Sequence, residues 1–226
     1  MFVARVLALV LALVVAPALS SPVRAEPTIA TEVSIVVGSP VTYGDVVTVS
    51  GQVSYVDPDG GQEYALADAP VLLERRYLDS SEWTEVAAQV TAGAFPGYEF
   101  EDVATKGARY RVSYAGDETY QASAAEATVR VRRIVTSKVR EPRDDVFFLK
   151  GKVVPDHAGE PVALLRKKCS DCAWKVFRRG EATARSTYRF RLPLPPEGAH
   201  YFRARVPADE GYLRTVSKVW EIRRIR

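Results

Sequence analysis

The stretch Tyr110-Arg111-Val112-Ser113-Tyr114-Ala115-Gly116-Asp117-Glu118-Thr119-Tyr120 decides the fold, because it occurs twice. Its second copy is Phe202-Arg203-Ala204-Arg205-Val206-Pro207-Ala208-Asp209-Glu210-Gly211-Tyr212. In both, apolar and polar residues alternate, a small-residue break and an acidic turn follow, and a Tyr opens another alternating run. A period of two sends alternate side chains into a core and into water, which describes a half-buried strand. Two such runs around a short turn predict a hairpin. A hairpin near the end of each half predicts a tandem duplication, and 226 residues with 47% hydrophobic content suffice for two modest sandwich cores.

The first 25 residues stand apart. Arg5 precedes an apolar run over 6–15, Ala16-Pro17 ends it, and Val23-Arg24-Ala25 puts small residues where a signal peptidase inspects. This predicts a cleaved secretory signal peptide over 1–25, its apolar run too short to span a bilayer. No Cys follows to carry a lipid, and residues 220–226 have no membrane character. The expectation is an exported, soluble protein, secreted or associated with the cell envelope.

Working outward, residues 31–37 predict a first strand, and Val47, Val49 and Val53 alternate along a second that contains Gly51. Residues 57–68 are polar and Gly-containing, hence a loop. Strands follow over 71–76, 83–90 and 98–103 before the hairpin. The second half answers in the same order. Gly151 stands for Gly51, Pro161-Val162 for Pro70-Val71, Trp174 for Trp83, and Tyr188-Arg189-Phe190 for Tyr98-Glu99-Phe100. The offset drops from 100 at the Gly pair to 91 at the Trp pair, so the first copy carries nine extra residues, around 57–68. It becomes 92 at the hairpin, a one-residue change that leaves Tyr201 and Phe202 competing for the inward position; Phe202 is favoured because it keeps Arg203 and Arg205 outside. The predicted fold is all-β: two tandem immunoglobulin-like β-sandwich domains, over 26–133 and 134–226. The junction around Arg132-Arg133-Ile134 lacks Gly, Pro and Ser, which predicts a short linker and a restricted interdomain angle.

The repeated Tyr-Ala-Gly-Asp-x-x-Tyr pattern, the Gly of the second strand and the Trp after the Arg-rich strand resemble bacterial Ig-like domains of secreted proteins. The resemblance covers residues 31–226. It implies spacers, adhesion modules or accessory binding modules, and it brings no catalytic residue. The second copy departs from the pattern at Val206-Pro207, where the first has Tyr114-Ala115.

Charge separates the halves. Residues 26–133 hold 8 Lys and Arg against 17 Asp and Glu, a net of −9, while residues 134–226 hold 21 against 11, a net of +10. Such asymmetry bears on partners. Alternation points Lys150 and Lys152 outward on one strand and Arg189 and Arg191 outward on a neighbour, so four cations share a face. The outward set of the other sheet is Lys167, Lys175, Phe177, Arg203 and Arg205. The candidate contact residues are therefore Lys150, Lys152, Arg189, Arg191, Arg203 and Arg205. Their expected partner is an anionic cell-envelope polymer, an acidic glycan or an acidic protein surface. The same imbalance has a second reading, in which the acidic domain docks on the basic one, in cis or head to tail with another molecule.

Cys169-Ser170-Asp171-Cys172 is the only cysteine pair. In an exported protein a disulfide between Cys169 and Cys172, stapling a hairpin tip, is the default; redox work lacks the helix N-terminus that commonly activates such a thiol. Zinc lacks a second Cys pair, and the acidic residues of 57–68 match no calcium-loop spacing, so no metal and no cofactor is expected. There is no nucleophile elbow, no His-Glu-x-x-His and no phosphate-cradling loop, and no specific nucleic-acid motif. Glu99 and Glu101 face water on an alternating strand. The expectation is a protein that is not an enzyme. Trp83, Trp174, Tyr120 and Tyr212, repeating in both copies, read as packing residues in preference to a sugar platform.

Overall fold

The computed structural model describes residues 29–93 and 96–224; the expected signal peptide lies outside the described residues. Every regular element among them is a β-strand. Strands Ser123–Val129, Ala108–Tyr114, Pro70–Tyr77 and Thr84–Val90 form one four-stranded antiparallel sheet. Facing it, Val46–Gly51 pairs with Tyr98–Val103 on one side and Val36–Val37 on the other. The side chains between the layers are those that alternation assigned inward: Val47, Val49, Phe100, Tyr110 and Val112 are all buried.

The second sandwich repeats the plan. Lys175–Glu181, Pro161–Lys167 and Ala199–Val206 are neighbours in one sheet, with Trp220–Arg223 along Ala199–Val206. Val146–Val154 pairs with Lys138–Arg143 and Thr187–Leu192 in the other. Its core holds Leu149, Val162, Leu164, Tyr188, Phe202 and Val206, and shares no residue with the first. Phe202 is fully buried, so it takes the inward position and Tyr201 does not.

Three expectations are corrected. The first strand is broken: Thr31–Val33 pairs with Val53–Val56, while Val36–Val37 pairs with Val46–Gly51. The stretch 57–68 is not all loop, because Glu63–Ala65 returns along Val53–Val56 and adds a strand to the sheet. Tyr120 and Tyr212 do not open strands; each ends a turn. Asp117 Oδ1 accepts the N–H groups of Thr119 (2.7 Å) and Tyr120 (2.9 Å), and Asp209 Oδ1 accepts those of Gly211 (3.0 Å) and Tyr212 (2.8 Å). An acidic side chain that captures backbone donors two and three residues on is a turn former, so both hairpins bend alike.

The two glycines have one structural task. Tyr98 reaches across Gly51 to donate its hydroxyl to the Ser34 carbonyl, and Tyr188 reaches across Gly151 to the Thr136 carbonyl (2.6 Å). A Cβ on either glycine would collide with that carbonyl and with the tyrosine. Each bridge crosses the inner strand and ties the outer strand that carries the tyrosine to the chain on the other side of that strand.

The sandwiches meet at their ends. Val131–Arg132 runs parallel to Val41–Thr42 of the first sandwich, and Arg132 also bridges Leu213 of the second, so one strand serves both. The turn of the second hairpin seats against the first domain. Gly107 N–H donates to the Gly211 carbonyl (2.8 Å), and the Tyr212 hydroxyl to the Thr105 carbonyl (2.7 Å). Tyr212 packs on the first core and lies beneath the Arg133 guanidinium, 3.9 Å from its ring centroid. Arg133, buried, forms an ion pair with Asp209 at 2.7 Å, and its Nη1 makes no hydrogen bond among the described residues.

Candidate functional site

The six predicted contact residues divide between the two sheets of the second sandwich. Lys150 and Lys152 lie on Val146–Val154, Arg189 and Arg191 on the adjacent Thr187–Leu192, with Lys150 directly opposite Arg189 and Arg191 opposite Phe148. Lys138, on the third strand, pairs with Lys150 from the other side. Three cations thus stand in a row across one sheet. Like charges placed opposite one another repel, and no ion pair among the described residues neutralises this row. Arg189 lays its guanidinium over Phe148 at 3.9 Å, which holds it flat against the sheet. A cleft of about 580 Å³ opens between Lys138, Lys150, Lys152 and Arg189.

Arg203 and Arg205 lie on the opposite sheet, on Ala199–Val206, where alternation directs Phe202, Ala204 and Val206 to the core and the arginines outward. Arg203 stacks on Trp174 at 4.2 Å, and Lys167 lies 5.4 Å from the same ring. Trp174 is therefore not core packing. It belongs to neither buried cluster and instead serves as the platform for two cations. Trp83, its counterpart, sits between Arg76 (4.7 Å) and Arg111 (4.4 Å). The repeat of Trp reflects a repeated surface stack. Phe177 is corrected the other way: it packs edge-on against buried Phe202, with centroids 6.3 Å apart, and Arg166 covers it at 4.2 Å. Tyr120 and Tyr212 pack as expected, both against the first core.

The two copies treat their surface cations differently. In the first sandwich Arg75 pairs with Asp102 (2.6 Å), Arg111 with Glu74 (2.7 Å), Arg109 with Glu126 (3.5 Å) and Lys106 with Asp79. In the second, the one pair within the described residues joins Arg223 to Glu221 (2.8 Å). Four cations of the first domain thus have a carboxylate partner in that domain, against one in the second among the described residues.

Cys169 and Cys172 are joined in a disulfide at the tip between Pro161–Lys167 and Lys175–Glu181. In the acidic loop the Asp57 carboxylate is turned onto its own backbone, accepting the Asp59 N–H at 3.1 Å. No helix of the described residues is long and apolar enough to cross a membrane.

Sequence reasoning missed Arg132, Arg214 and the surface placement of Trp174, which gather around Arg203 and Arg205. The signal was available in the duplication: where the first copy has Glu74, Ser113 and Ala122, the second has Leu165, Arg205 and Arg214.

No protein-family model matches the chain, and no curated protein does. Among solved structures it is similar to a tetra-tandem repeat in the extending region of a large adhesion protein, with 13% identity and a TM-score of 0.35 over 86% of this chain and 49% of that one. The chain thus spans about half the length of that neighbour. It is also similar to a chain of a cytokine receptor complex, with 13% identity and a TM-score of 0.41 over 84% of this chain and 96% of that one.

Proposed function

We propose that this protein is an exported, non-catalytic binding module of the adhesion type, acting at or beyond the cell surface. Its basic second domain, residues 134–226, contacts an anionic partner through Lys150, Lys152, Arg189, Arg191, Arg203 and Arg205. One observation carries the reading: those six side chains make no ion pair among the described residues, whereas four cations of the first domain, Arg75, Lys106, Arg109 and Arg111, each pair with a carboxylate of that domain. Unpaired cations on a rigid sheet raise the local concentration of an anionic partner and speed its capture.

The competing reading gives the charge split to docking of the acidic domain on the basic one. The contacts between the domains speak against it in cis. They form end to end, through hydrogen bonds and Tyr212, and their one ion pair among the described residues has the opposite sense, with the acid in the basic domain and the base from the acidic one.

Retention of residues 26–226 on a sulfated polysaccharide resin tests the proposal. The protein is expected to hold at about 0.15 M salt, where the screening length is roughly 8 Å, and to elute as salt rises. A variant carrying Gln at all six positions is expected to flow through. Equal elution of the two would overturn the assignment.

A further inference from the structure

Resting on that reading, we infer that the working centre of the basic domain is one cleft at the domain junction, formed by Arg132, Arg203, Arg205 and Arg214 around Trp174. It takes the densely spaced oxyanions of a sulfated or phosphorylated polymer.

The cleft measures about 530 Å³, and no carboxylate among the described residues lines it. Its four arginines come from three places. Arg203 and Arg205 project from Ala199–Val206, Arg214 follows the turn that seats on the first domain, and Arg132 comes from the strand that both domains share. None of the four has an ion pair among the described residues. Arg203 Nε is buried without an acceptor. Arg203 also loses proton affinity, first through burial and then through the nearby charges of Arg214 and Arg205. Three guanidinium groups therefore feel one another with nothing to relieve them, an arrangement that a bound anion stabilises.

The duplication supplies the control. In the first sandwich Arg111 stacks on Trp83 just as Arg203 stacks on Trp174, but Arg111 stands across the strand from Glu74, which binds it at 2.7 Å. Across from Arg203 stands Leu165, which is buried and cannot neutralise it. One position further along, Ser113 pairs with Leu72 on one side and Ala124 on the other; its counterpart Arg205 pairs with Ala163 and Val216. The Gln121 N–H donates to the Ile29 carbonyl as the Leu213 N–H donates to the Val131 carbonyl, each at 2.8 Å. Arg214 and Arg132 thus occupy the places of Ala122 and Ala30. Relative to its sister, the second copy keeps one stacked arginine, loses its counter-charge and gains three more cations at a single spot. A generally solvated surface does not require that concentration.

The ligand class follows from the lining. Guanidinium forks pair bidentately with phosphate, sulfate and carboxylate. Four within one small cleft suit a ligand that presents several oxyanions within a few bonds of one another. Apart from the Trp174 ring, which Arg203 covers, the apolar lining is slight: Leu165 is buried and Val216 stands partly in water, so the cleft offers a peptide little besides charge. Charge density is what the cleft can read.

The test is titration of residues 26–226, followed by tryptophan fluorescence, with three probes: a size-defined sulfated hexasaccharide, inorganic tripolyphosphate and a poly-glutamate peptide. The cleft variant is Arg205→Gln with Arg214→Gln, and the control is Arg179→Gln with Arg185→Gln, two exposed cations of the same domain that line neither cleft. Both pairs are surface substitutions, and thermal unfolding checks that each variant folds. The expected result is binding of the hexasaccharide or tripolyphosphate, or both, that the cleft variant weakens at least about tenfold, the scale of a lost charged hydrogen bond. The control variant is expected to change it by less than about threefold. Which probe binds more tightly separates a sulfated sugar source from a phosphate source. If the control variant loses as much as the cleft variant, the cleft is not the centre, while the broader reading survives. Preference for poly-glutamate overturns the ligand class. Failure of wild-type protein to bind any probe at low salt overturns the broader reading as well.

Discussion

At the scale of single residues, Gly51 and Gly151 are tied to the tyrosines that cross them. Adding one methyl group at Gly151 drives it into the Thr136 carbonyl and the Tyr188 ring. Gly151→Ala is therefore expected to destabilise the protein by about 1–3 kcal/mol, the cost of overpacking a tight site. Tyr188→Phe keeps the ring but loses the 2.6 Å bond, and is expected to cost about 1 kcal/mol. Urea unfolding midpoints check both, and a neutral Gly151→Ala would remove the tyrosine bridge from the account. The same tyrosines set an alkaline limit. Burial pushes Tyr98 and Tyr188 up to about 12, and it also raises Tyr110 and Tyr114, whose hydroxyls donate to Asp102 and Asp117. A group that holds its proton more tightly when folded contributes stability fully below its unfolded value, near pH 10 for tyrosine. That contribution is lost as pH rises through the folded value. The urea midpoint is thus expected to fall between about pH 10 and 12 because of these groups, and Tyr188→Phe to flatten part of the fall.

At the scale of elements, the two acidic turns share one backbone and serve different neighbours. Asp117 holds its turn against its own domain, where Tyr114 donates to its Oδ2 at 2.8 Å. Asp209 lacks that partner because Val206 stands at the place of Tyr114, and its Oδ2 meets Arg133 of the shared strand. Removing the aromatic that completes this joint, by Tyr212→Ala, is expected to cost about 1–3 kcal/mol and to widen the particle in small-angle scattering. An unchanged scattering profile would show that the joint is held by the backbone alone. Much of this was legible in the sequence, because inward and outward positions follow a period of two and the duplication lets each copy check the other. Phe202, Gly151 and the six outward cations followed from that pattern. What it could not reveal was side-chain choice where two environments suit one residue. Trp83 and Trp174 are large and apolar and read as core, yet each serves as a platform for arginine or lysine, and Phe177 turned inward at a strand edge where alternation loosens. The strand Glu63–Ala65 was hidden by its polar composition, being held by backbone pairing with Val53–Val56 and little burial.

At the scale of the whole molecule, a chain with a formal charge of only +3 carries two domains of opposite sign joined end to end. None of the six proposed contact residues takes part in the hydrogen bonds or the ion pair that join the two domains among the described residues. The protein is accordingly expected to stay monomeric by light scattering at both low and high salt; a mass that rises with concentration at low salt alone would return the charge split to assembly. The most direct test of the central claim is the salt dependence of affinity for a sulfated polysaccharide. If unpaired cations of the second domain make the contact, log K falls linearly with log salt concentration, and the slope shrinks by several charges when the six contact residues become Gln. An affinity that ignores salt, or a slope that the six substitutions leave unchanged, would contradict the claim.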